Sequence, residues 1–485
     1  MQVHERLYIG GEWVRPATRA TIDVVSPHSE EMIARVAEAR EADIDRAVAA
    51  ARAAFDTGPW PRMTPGERAD VMAALNARLR ERADELATTI TREMGSPLLF
   101  SQLGQVMAAS MVLDYYTGLA REYPFEEVRP GMLGPALVRR EPVGVAAAII
   151  PWNVPLFVTM LKLAPAMAAG ATVVLKPAPE TPLDALILAE AAAAAGVPPG
   201  VLNVVPTGRE VGEHLVRHPG VDKVGFTGST AAGRHIAAIC GEQLKRVTLE
   251  LGGKSAAIIL DDADLASTIA GLLPGAILNN GQACAAQTRI LVSRRRYDEV
   301  AGALVDAVRA LPVGDPMDMN TMIGPLVAAR QRDRVEGYIK IGRDEGARVA
   351  CGGGRPASQP RGWYVEPTVF VGVDNRMRIA QEEIFGPVLA VIPYDDERDA
   401  LRIANDSDYG LCGSVWTADV DHGVDVARQV RTGTYCVNGF AMEFSAPFGG
   451  FKASGVGREL GPEGLTAYLE AKTINLPMGF EPRLR

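Results

Sequence analysis

Apolar and polar positions change their spacing along the chain, and each change predicts a different kind of element. Residues 7–36 alternate apolar and polar side chains around Gly10 and Gly11, which predicts a short β-hairpin. Residues 41–118 carry Ala, Arg, Glu and Leu at helical spacing, with glycine–proline breaks near positions 58 and 95. This stretch predicts a block of helices.

From residue 143 onward, short apolar runs alternate with alanine-rich helical segments. This alternation favours a parallel sheet covered on both faces, and such sheets bind nucleotides at the carboxyl ends of their strands. A second α/β stretch begins at Ser255 and runs to about residue 450. The predicted strands of the first stretch are Val143–Ile150, Thr172–Lys176, Val201–Val205 and Lys223–Thr227, and the predicted helices are Pro155–Ala169, Pro182–Ala195, Val211–Arg217 and Ala231–Ile239.

Two segments do not follow the alternation. Residues 121–142 are charged and strand-like, and they are too long for a simple loop, so they predict an extended arm. The region from 454 to the end contains a glycine-rich turn, a short helix and an extended tail. A chain of 485 residues favours about three domains.

Composition and charge narrow the class of protein. Hydrophobic residues make up 47% and charged residues 22%, as in ordinary globular proteins. The net charge of −9 disfavours a nucleic-acid partner, although small anions still bind backbone amides at helix starts. The N-terminus has no apolar signal-peptide core, and Lys162 and Pro165 interrupt the most apolar run. We therefore expect a cytoplasmic protein with no membrane span.

The five cysteines are odd in number, and no two form a C-x-x-C pair. A disulfide framework and a zinc site are therefore not expected, and we predict no metal. Cys284 stands out because it follows the polar, glycine-containing run that starts at Asn279. An isolated cysteine is usually a small buried apolar residue, but this lead-in favours a nucleophile. The other four, at 240, 351, 412 and 436, are interpreted as structural.

A nucleophilic thiol usually has a base as its partner. None of the six histidines lies in a motif-like loop, so a Cys–His hydrolase is not supported. Glu250 is the better candidate, because it ends a predicted strand just before Gly252 and Gly253 and so lies beside a cleft. Taken alone, Glu250 is favoured as an exposed charge at the end of a strand.

The glycines that favour nucleotide binding follow the strand Lys223–Thr227. Gly228 and Gly233 flank a helix start, where free amides face a diphosphate, but a glycine turn with a Ser/Thr cap explains them equally well. A G-x-G-x-x-G motif is absent. A P-loop ending at Ser255 would need a glycine at position 248, which is Thr248.

Taken together, the motifs resemble the NAD(P)-dependent aldehyde dehydrogenase superfamily over nearly the whole chain. As a set and in this order they are very specific. The segments that carry the resemblance are Ile150–Asn153, Leu175–Pro177, Phe226–Thr230, Glu250–Lys254, Gly281–Cys284, Glu382–Pro387 and Pro447–Lys452.

The resemblance implies a role for each matching catalytic residue. Cys284 would form a thiohemiacetal with the aldehyde and then a thioester. Asn153 and the amide of Cys284 would stabilise the tetrahedral oxyanion. Glu250 would activate the water that hydrolyses the thioester. Lys162 and Glu459 match positions of a proton relay behind that glutamate.

The resemblance also implies a cofactor site. Lys176 would bind the adenosine ribose, and Glu383 and Phe385 would position the nicotinamide end. The family often has a glutamate three residues after this lysine, which binds the ribose 2′-hydroxyl, but here the position is Pro179. NAD is favoured as the cofactor. NADP is possible as well, because Pro179 cannot repel a 2′-phosphate as the family's glutamate does. The full implied set is Ile150, Trp152, Asn153, Lys176, Gly208, Gly212, Phe226, Gly228, Ser229, Gly233, Glu250, Leu251, Gly252, Gln331, Glu383 and Phe385.

The residues that match the family's substrate pocket are all apolar, and they include no Lys or Arg. An apolar pocket favours uncharged aliphatic or aromatic aldehydes over semialdehydes that carry a carboxylate. The alternative is that some of these side chains only pack the core. The predicted lining residues are Val154, Phe157, Val158, Leu161, Phe440, Met442 and Phe448.

The expected fold class is α/β, with a doubly wound parallel-sheet cofactor domain, an α/β catalytic domain and a small β oligomerisation arm. The expected domains are 1–120 with 142–252, 253–453, and 121–141 with 454–485. The arm predicts a homodimer or homotetramer, because pairing would cover its exposed edge. The alternatives are a semialdehyde dehydrogenase, a CoA-acylating relative or thiol esterase, and a catalytically idle protein on the same fold.

Overall fold

The computed structural model describes residues 2–483, so residue 1 and residues 484–485 at the ends of the predicted ranges lie outside it. The strands are β1 (Gln2–His4), β2 (Leu7–Ile9), β3 (Glu12–Val14), β4 (Thr21–Val25), β5 (Met32–Ala37), β6 (Glu126–Arg129), β7 (Ala136–Pro142), β8 (Val145–Ile149), β9 (Thr172–Lys176), β10 (Leu202–Val204), β11 (Lys223–Thr227), β12 (Arg246–Glu250), β13 (Ala256–Ile259), β14 (Arg289–Ser293), β15 (Arg348–Cys351), β16 (Thr368–Val371), β17 (Val388–Tyr394), β18 (Tyr409–Gly410), β19 (Gly413–Trp416), β20 (Cys436–Val437), β21 (Phe451–Lys452), β22 (Gly455–Val456) and β23 (Leu469–Asn475).

The helices lie mainly between these strands, as the sequence predicts. They are α1 (Glu41–Asp56), α2 (Pro65–Glu81), α3 (Ala83–Met94), α4 (Leu98–Phe100), α5 (Ala108–Glu122), α6 (Pro155–Ala169), α7 (Leu183–Ala194), α8 (Arg209–Arg217), α9 (Thr230–Glu242), α10 (Leu265–Ala276), α11 (Tyr297–Arg309), α12 (Ala329–Asp344), α13 (Arg378–Gln381), α14 (Glu397–Asn405), α15 (Val420–Ala427) and α16 (Gly461–Thr466), with a 3₁₀ turn at Trp60–Arg62 and a π-helical segment at Ser101–Met107.

The first sheet is doubly wound, which confirms the predicted α/β class. Within the described residues it has eight strands in the order β22-β12-β11-β8-β9-β10-β2-β3. The five strands from β12 to β10 are mutually parallel. Their carboxyl ends therefore meet at one edge, where parallel sheets place ligands.

Strand β8 explains why both faces of this sheet are covered. Its small apolar side chains alternate between the faces, as strand geometry requires. Val145 and Ala147 pack in the core formed with α1, α8 and α9. Ala146 and Ala148 pack in the core formed with α2, α5, α6 and α7. Continuous burial of such a strand produces the unbroken apolar run in the sequence.

The second sheet lies in the later part of the chain. Within the described residues it has seven strands in the order β15-β16-β17-β14-β13-β19-β20. All neighbours are parallel except β15 and β16. One face packs against α12, α13, α14 and α15, and the other packs against α10 and α11.

The predicted arm forms a separate three-stranded antiparallel sheet in the order β23-β7-β6. The two predicted arm segments, 121–141 and 454–485, contain other elements as well. The start of the segment 121–141 still belongs to α5, and the segment 454–485 divides into two parts. Strand β22 pairs with β12 of the first sheet, and only β23 joins the arm. Strand β22 has only two residues, so it shows no alternation of apolar and polar positions from which its partner strand could be predicted.

The N-terminal region holds two hairpins instead of the predicted one. Strands β2 and β3 pair around Gly10 and Gly11, whose φ angles of 65° and 85° suit a tight turn. Strands β4 and β5 form the second hairpin, and β1 joins β5 in parallel. The predicted helical block 41–118 is confirmed, with a π-helical segment in its later part.

Two further properties concern the described residues as a whole. In residues 2–483 no helix combines the length and the apolar character needed to cross a membrane. The same residues contain no cluster of three or more His, Cys, Asp or Glu side chains suited to a metal ion.

Candidate active site

The site is built at the carboxyl edge of the first sheet. Ile149 at the end of β8 pairs with Lys176 at the end of β9, and Phe226 of β11 pairs with Ile149. Thr227 pairs with Glu250, the last residue of β12. Parallel register therefore brings four strand ends together, although they are far apart in the sequence.

The loop before Cys284 has a backbone that the sequence specifies locally. Asn279, Asn280 and Gly281 have φ angles of 53°, 61° and 72°, which Asn and Gly tolerate best. A Cβ added at Gly281 would lie 2.2 Å from the backbone of Gly386. The loop is therefore packed tightly against the segment that carries Glu383 and Phe385.

Asn153 is buried and joins its own loop to that of Cys284. Its Nδ2 donates a hydrogen bond of 2.9 Å to the carbonyl of Gln282. Asn279 Nδ2 donates one of 2.8 Å to the carbonyl of Asn153. The amide of Asn153 is therefore oriented before any substrate arrives, as an oxyanion donor requires.

Cys284 lies in a confined environment. A Cβ added at Gly253 would lie 2.3 Å from its carbonyl oxygen, so only glycine fits there. Burial raises the pKa of the Cys284 thiol to about 12, and the negative charges of Glu383 and Glu250 add to this effect. The backbone amides of Ala285 and Cys284 act in the opposite direction. The thiol is therefore protonated at neutral pH in this state.

Glu250 is buried, with 3% of its surface exposed, so it is not an exposed charge at a strand end. Among the described residues, neither of its carboxylate oxygens has a hydrogen-bond partner. Burial raises its pKa well above the usual value, Glu459 raises it further, and Lys162 lowers it. A buried carboxyl without a fixed partner remains able to accept a proton from a reactant.

Lys162 and Glu459 lie together, as predicted for a pair behind Glu250. Lys162 Nζ stands 2.6 Å from Glu459 Oε1 and donates a second hydrogen bond of 2.6 Å to Thr227 Oγ1. Lys162 comes from α6 and Glu459 from the segment between β22 and α16. Both charges act on Glu250, which is consistent with a proton route towards it.

Several predicted cofactor residues meet near the loop that carries Cys284. Glu383 Oε1 accepts a hydrogen bond of 2.9 Å from the amide of Gly253. Gln331 Nε2 donates one of 2.7 Å to the carbonyl of Phe385. The rings of Trp152 and Phe385 meet edge to face, with centroids 5.4 Å apart. A Cβ at Gly252 would lie 2.6 Å from Glu383 Oε2, so a side chain there would displace the Glu383 carboxylate.

The other predicted cofactor residues lie along the strand ends and the starts of α8 and α9. Burial lowers the pKa of Lys176 to about 8, and the charge of Glu180 counteracts this. Its aliphatic chain lies beside Gly212, where an added Cβ would stand 3.1 Å from Cε. Gly208 precedes α8, and Ser229 caps α9. Gly233 lies against Leu251, and Gly228 lies against Phe226. The amide of Ile150 donates a hydrogen bond to the carbonyl of Lys176.

These positions satisfy a physical test for a dinucleotide. The starts of α8 and α9 supply backbone amides for phosphate oxygens, and Lys176 supplies a buried cation. Glycines at 212, 228 and 233 leave this surface free of side chains, and a Cβ at any of them would contact a neighbouring side chain. The residues present therefore fit an anionic, extended cofactor.

The apolar residues predicted to line the substrate pocket lie in one cluster with Cys284. Phe157, Val158, Leu161 and Phe448 are buried in it, while Val154, Phe440 and Met442 pack against it and remain partly exposed. Val154, Phe440 and Met442 therefore have the partial exposure expected of a pocket wall, whereas the other four are as buried as core residues.

Sequence reasoning missed several residues of the site. Phe444 packs on Phe157 with ring centroids 6.1 Å apart. Thr227 and Asn279 orient Lys162 and Asn153. Thr227 lies within a quoted motif, Asn279 begins the Cys284 loop, and Phe444 lies between the predicted pocket residues Met442 and Phe448, so the sequence carried a signal for all three. Of the other cysteines, Cys240, Cys351 and Cys412 are buried and Cys436 is partly exposed, and all are free thiols.

Comparison with known proteins identifies the family. The model of the Aldehyde dehydrogenase family matches residues 13–474, which is nearly the whole chain. The chain belongs to this family, as the sequence resemblance implied.

Particular relatives support the same assignment. The chain is 50% identical over 475 residues to geranial dehydrogenase from Castellaniella defragrans, with 98% of this chain and 99% of that protein covered. It is 43% identical over 486 residues to 3-succinoylsemialdehyde-pyridine dehydrogenase from a Pseudomonas species, with 99% and 100% covered.

Solved structures agree on the fold. The aldehyde dehydrogenase of Mycobacterium tuberculosis complexed with NAD⁺ has a TM-score of 0.98 and 51% sequence identity to this chain. The match covers 99% of this chain and 100% of that one. A mutant of aldehyde dehydrogenase C from Pseudomonas syringae, complexed with NAD⁺ and octanal, has a TM-score of 0.94 and 43% identity, with 97% and 96% covered.

Proposed function

We propose that this protein oxidises an uncharged aliphatic or aromatic aldehyde to a carboxylic acid, with NAD⁺ as the hydride acceptor. The observation that carries the proposal is that the loop of Cys284 is bonded to Asn153 and that Glu250, buried nearby, has no hydrogen-bond partner for its carboxylate among the described residues. Membership of the aldehyde dehydrogenase family and the NAD⁺ complexes of its structural neighbours support it.

Cys284 acts as the nucleophile. Its sulfur forms a bond to the aldehyde carbon, and the carbonyl oxygen becomes an oxyanion. Asn153 Nδ2 and the backbone amide of Cys284 stabilise that charge, because oriented donors need no reorganisation when the charge develops. Because burial keeps the thiol protonated, its proton has to leave as the bond forms, and Glu250 is the candidate acceptor.

NAD⁺, when bound, supplies the acceptor for the hydride that leaves the aldehyde carbon. Lys176 and the helix starts of α8 and α9 would hold its adenosine and diphosphate, and Glu383, Phe385 and Gln331 its nicotinamide end. The acyl group then remains on Cys284 as a thioester.

Glu250 completes the cycle by activating water. Once the proton taken from the thiol has left Glu250, its carboxylate takes a proton from the water that attacks the thioester carbon, and it returns that proton to the sulfur as the acid leaves. Its raised pKa brings it closer to the working pH, where a base transfers protons best. Lys162 and Glu459 lie behind Glu250 and offer a route by which the proton taken from the thiol leaves the interior.

The substrate class follows from the pocket lining, which is apolar and partly exposed beside Cys284. The octanal complex of one structural neighbour and the name of the geranial dehydrogenase relative favour an apolar aldehyde. The name of the 3-succinoylsemialdehyde-pyridine dehydrogenase relative favours the second candidate, a semialdehyde. A CoA-acylating reaction is less favoured, because Glu250 makes water the acceptor.

Two further parts of the proposal concern the whole molecule. The sheet β23-β7-β6 has open edges, and pairing with the arm of another copy would cover them, so we propose a homodimer or homotetramer. The free thiols agree with a reducing cytoplasm as the location. Light scattering measures the assembly.

One assay tests the function. NADH formation is followed with hexanal, benzaldehyde and succinic semialdehyde, each with NAD⁺ or NADP⁺ and with or without CoA. We expect the wild-type protein to prefer hexanal or benzaldehyde and NAD⁺, without a need for CoA, and Cys284→Ala to give no product. Absence of NADH and NADPH over the whole panel would refute the dehydrogenase proposal, and a tenfold preference for NADP⁺ in kcat/KM would refute the cofactor assignment.

A further inference from the structure

Glu180 and Arg330 form an ion pair between two segments that are far apart in the sequence. Glu180 lies in a turn closed by a hydrogen bond of 3.2 Å from the amide of Thr181 to the carbonyl of Ala178. Pro179 precedes it at the turn position that proline favours, so the turn and the direction of Glu180 are set locally.

Both ends of the pair adjoin proposed cofactor contacts. Glu180 follows Lys176 by one short loop, and its charge raises the pKa of that lysine against the effect of burial. Arg330 precedes Gln331, which holds the carbonyl of Phe385 at 2.7 Å. The same turn is tied to Trp152, since Thr181 Oγ1 donates to its carbonyl at 3.4 Å.

We propose that Glu180 and Arg330 act as a clasp that spans the cofactor cleft and positions its two walls for the dinucleotide. Glu180 stands on the wall that carries Lys176, and Arg330 stands on the wall that carries Gln331 and Phe385. This inference rests on the cofactor placement of the proposed function, and both are positioning residues, because they act through their neighbours.

The expected effect is moderate. The side chains of Glu180 and Arg330 are 24% and 58% exposed, so water screens their attraction. Pairs of this kind change an equilibrium by about two- to fivefold when they are broken. The clasp therefore tunes how tightly the cofactor is held, and salt should weaken it.

Binding measured without turnover tests the clasp. The dissociation constants of NAD⁺ and NADH are obtained by calorimetry for wild type, Glu180→Gln, Arg330→Gln and the double variant. Each single change is expected to raise both constants about two- to fivefold, and the double variant no more than either single one. Glu180→Asp and Arg330→Lys should retain part of the wild-type affinity. In turnover, KM for NAD⁺ should rise and kcat should not fall.

An ion pair with one partner on α12, the helix that carries Arg330, serves as the matched control. Glu336 of α12 pairs with Arg355 at 2.5 Å, with side chains 32% and 56% exposed. Glu336→Gln should leave both dissociation constants unchanged. An equal effect from Glu336→Gln would mean that any lost charge on this surface weakens binding, which overturns the clasp.

The remaining outcomes separate the clasp from the cofactor placement. If Glu180→Gln weakens binding and Arg330→Gln does not, Glu180 acts through Lys176 alone and the clasp is wrong. Additive effects of the two changes would also overturn it. Lys176→Gln tests the placement itself: if it leaves NADH affinity at the wild-type value, the proposed cofactor site fails. If it weakens binding while both clasp variants do not, only the clasp fails.

Discussion

Lys162 and Glu459 form an ion pair in the interior, with Nζ and Oε1 separated by 2.6 Å and the side chains 0% and 5% exposed. Thr227 accepts a second hydrogen bond from the same ammonium. Both charges reach Glu250, and they shift its pKa in opposite directions. The pair thus links the stability of the fold to the protonation of the candidate base.

We expect Lys162→Met to destabilise the protein by about 3–5 kcal/mol, because it leaves the Glu459 carboxylate buried without its counter-ion. Loss of the lysine charge also raises the pKa of Glu250 further, so the rise of kcat with pH should move to higher pH. Urea unfolding and a pH profile of kcat measure the two effects. Lys162→Met combined with Glu459→Leu should recover most of the stability. It should also move the pH profile back to lower pH, because the Glu459 charge that raises the pKa of Glu250 is removed as well.

The exposed pair of Arg246 and Glu470 is the matched control for this prediction. Its side chains are 64% and 41% exposed, so Arg246→Gln should cost at most about 1 kcal/mol. A Lys162→Met variant that costs no more than this would mean that the interior pair is solvated in solution.

Glu250→Gln is expected to stop turnover after the first half of the reaction. Water activation is lost, and the Cys284 thiol also loses its candidate proton acceptor, so the thioester should form more slowly than in wild type and then persist. Rapid mixing should show a burst of about one NADH per active site followed by a slow steady rate. Mass spectrometry of the trapped protein should find the acyl group on Cys284. A full-sized steady rate without a burst would contradict the assigned role.

The same substitution should stabilise the fold at alkaline pH. The raised pKa means that folded Glu250 binds a proton at pH values where the unfolded chain has lost it. Stability therefore falls as pH rises from about 4.5 towards the folded pKa, and glutamine escapes this loss. The melting temperature of Glu250→Gln should exceed that of wild type at pH 8, and the gap should close towards pH 5. A gap independent of pH would contradict the shift.

The sequence predicted most of the elements because their boundaries are local. Helix α6 and strand β9 have the predicted bounds, Pro155–Ala169 and Thr172–Lys176. Proline at the first helical position begins the helix, and Gly170, with φ of 93°, ends it. The strands of the first sheet were also recognisable in the sequence, because each one is a short unbroken apolar run.

The sequence predicted less where the answer depends on distant partners. Glu250 taken alone was favoured as an exposed charge, and its burial involves a distant segment, since β22 pairs with β12 and sets Gly455 opposite Glu250. Arg330 was not recognised near the cofactor site, because its partner Glu180 lies 150 positions away. The raised pKa of Cys284 depends on burial and on the charges of Glu383 and Glu250, which no motif displays.

Cys284 should react slowly at neutral pH in the free protein and faster as pH rises. Burial and nearby carboxylates raise its pKa to about 12, and only the thiolate reacts. We expect its alkylation by iodoacetamide to increase about tenfold per pH unit between 7 and 10. Peptide-resolved mass spectrometry measures the rate, with the partly exposed Cys436 as an internal reference.

The alkylation rate of Cys284 also tests the effect of Glu250 on the thiol pKa. Glu250→Gln removes one of the negative charges that raise the pKa of Cys284, so alkylation at pH 8 should become faster. A rate for wild type that levels off between pH 7 and 8 would indicate a thiolate already formed in the free protein, and it would contradict the structure.

Phe157 provides the test of the apolar pocket. It lies on α6, contacts Phe444 and packs in the cluster that contains Cys284. Phe157→Ala should remove about 2 kcal/mol of contact with a long-chain aldehyde, which is about a 30-fold loss in kcat/KM. Acetaldehyde does not reach so far, so its kcat/KM should change less than about threefold. Met132→Ala, at a side chain 97% exposed, should change neither value. Equal losses for octanal and acetaldehyde would mean that Phe157 supports the fold around Cys284 and does not line the pocket.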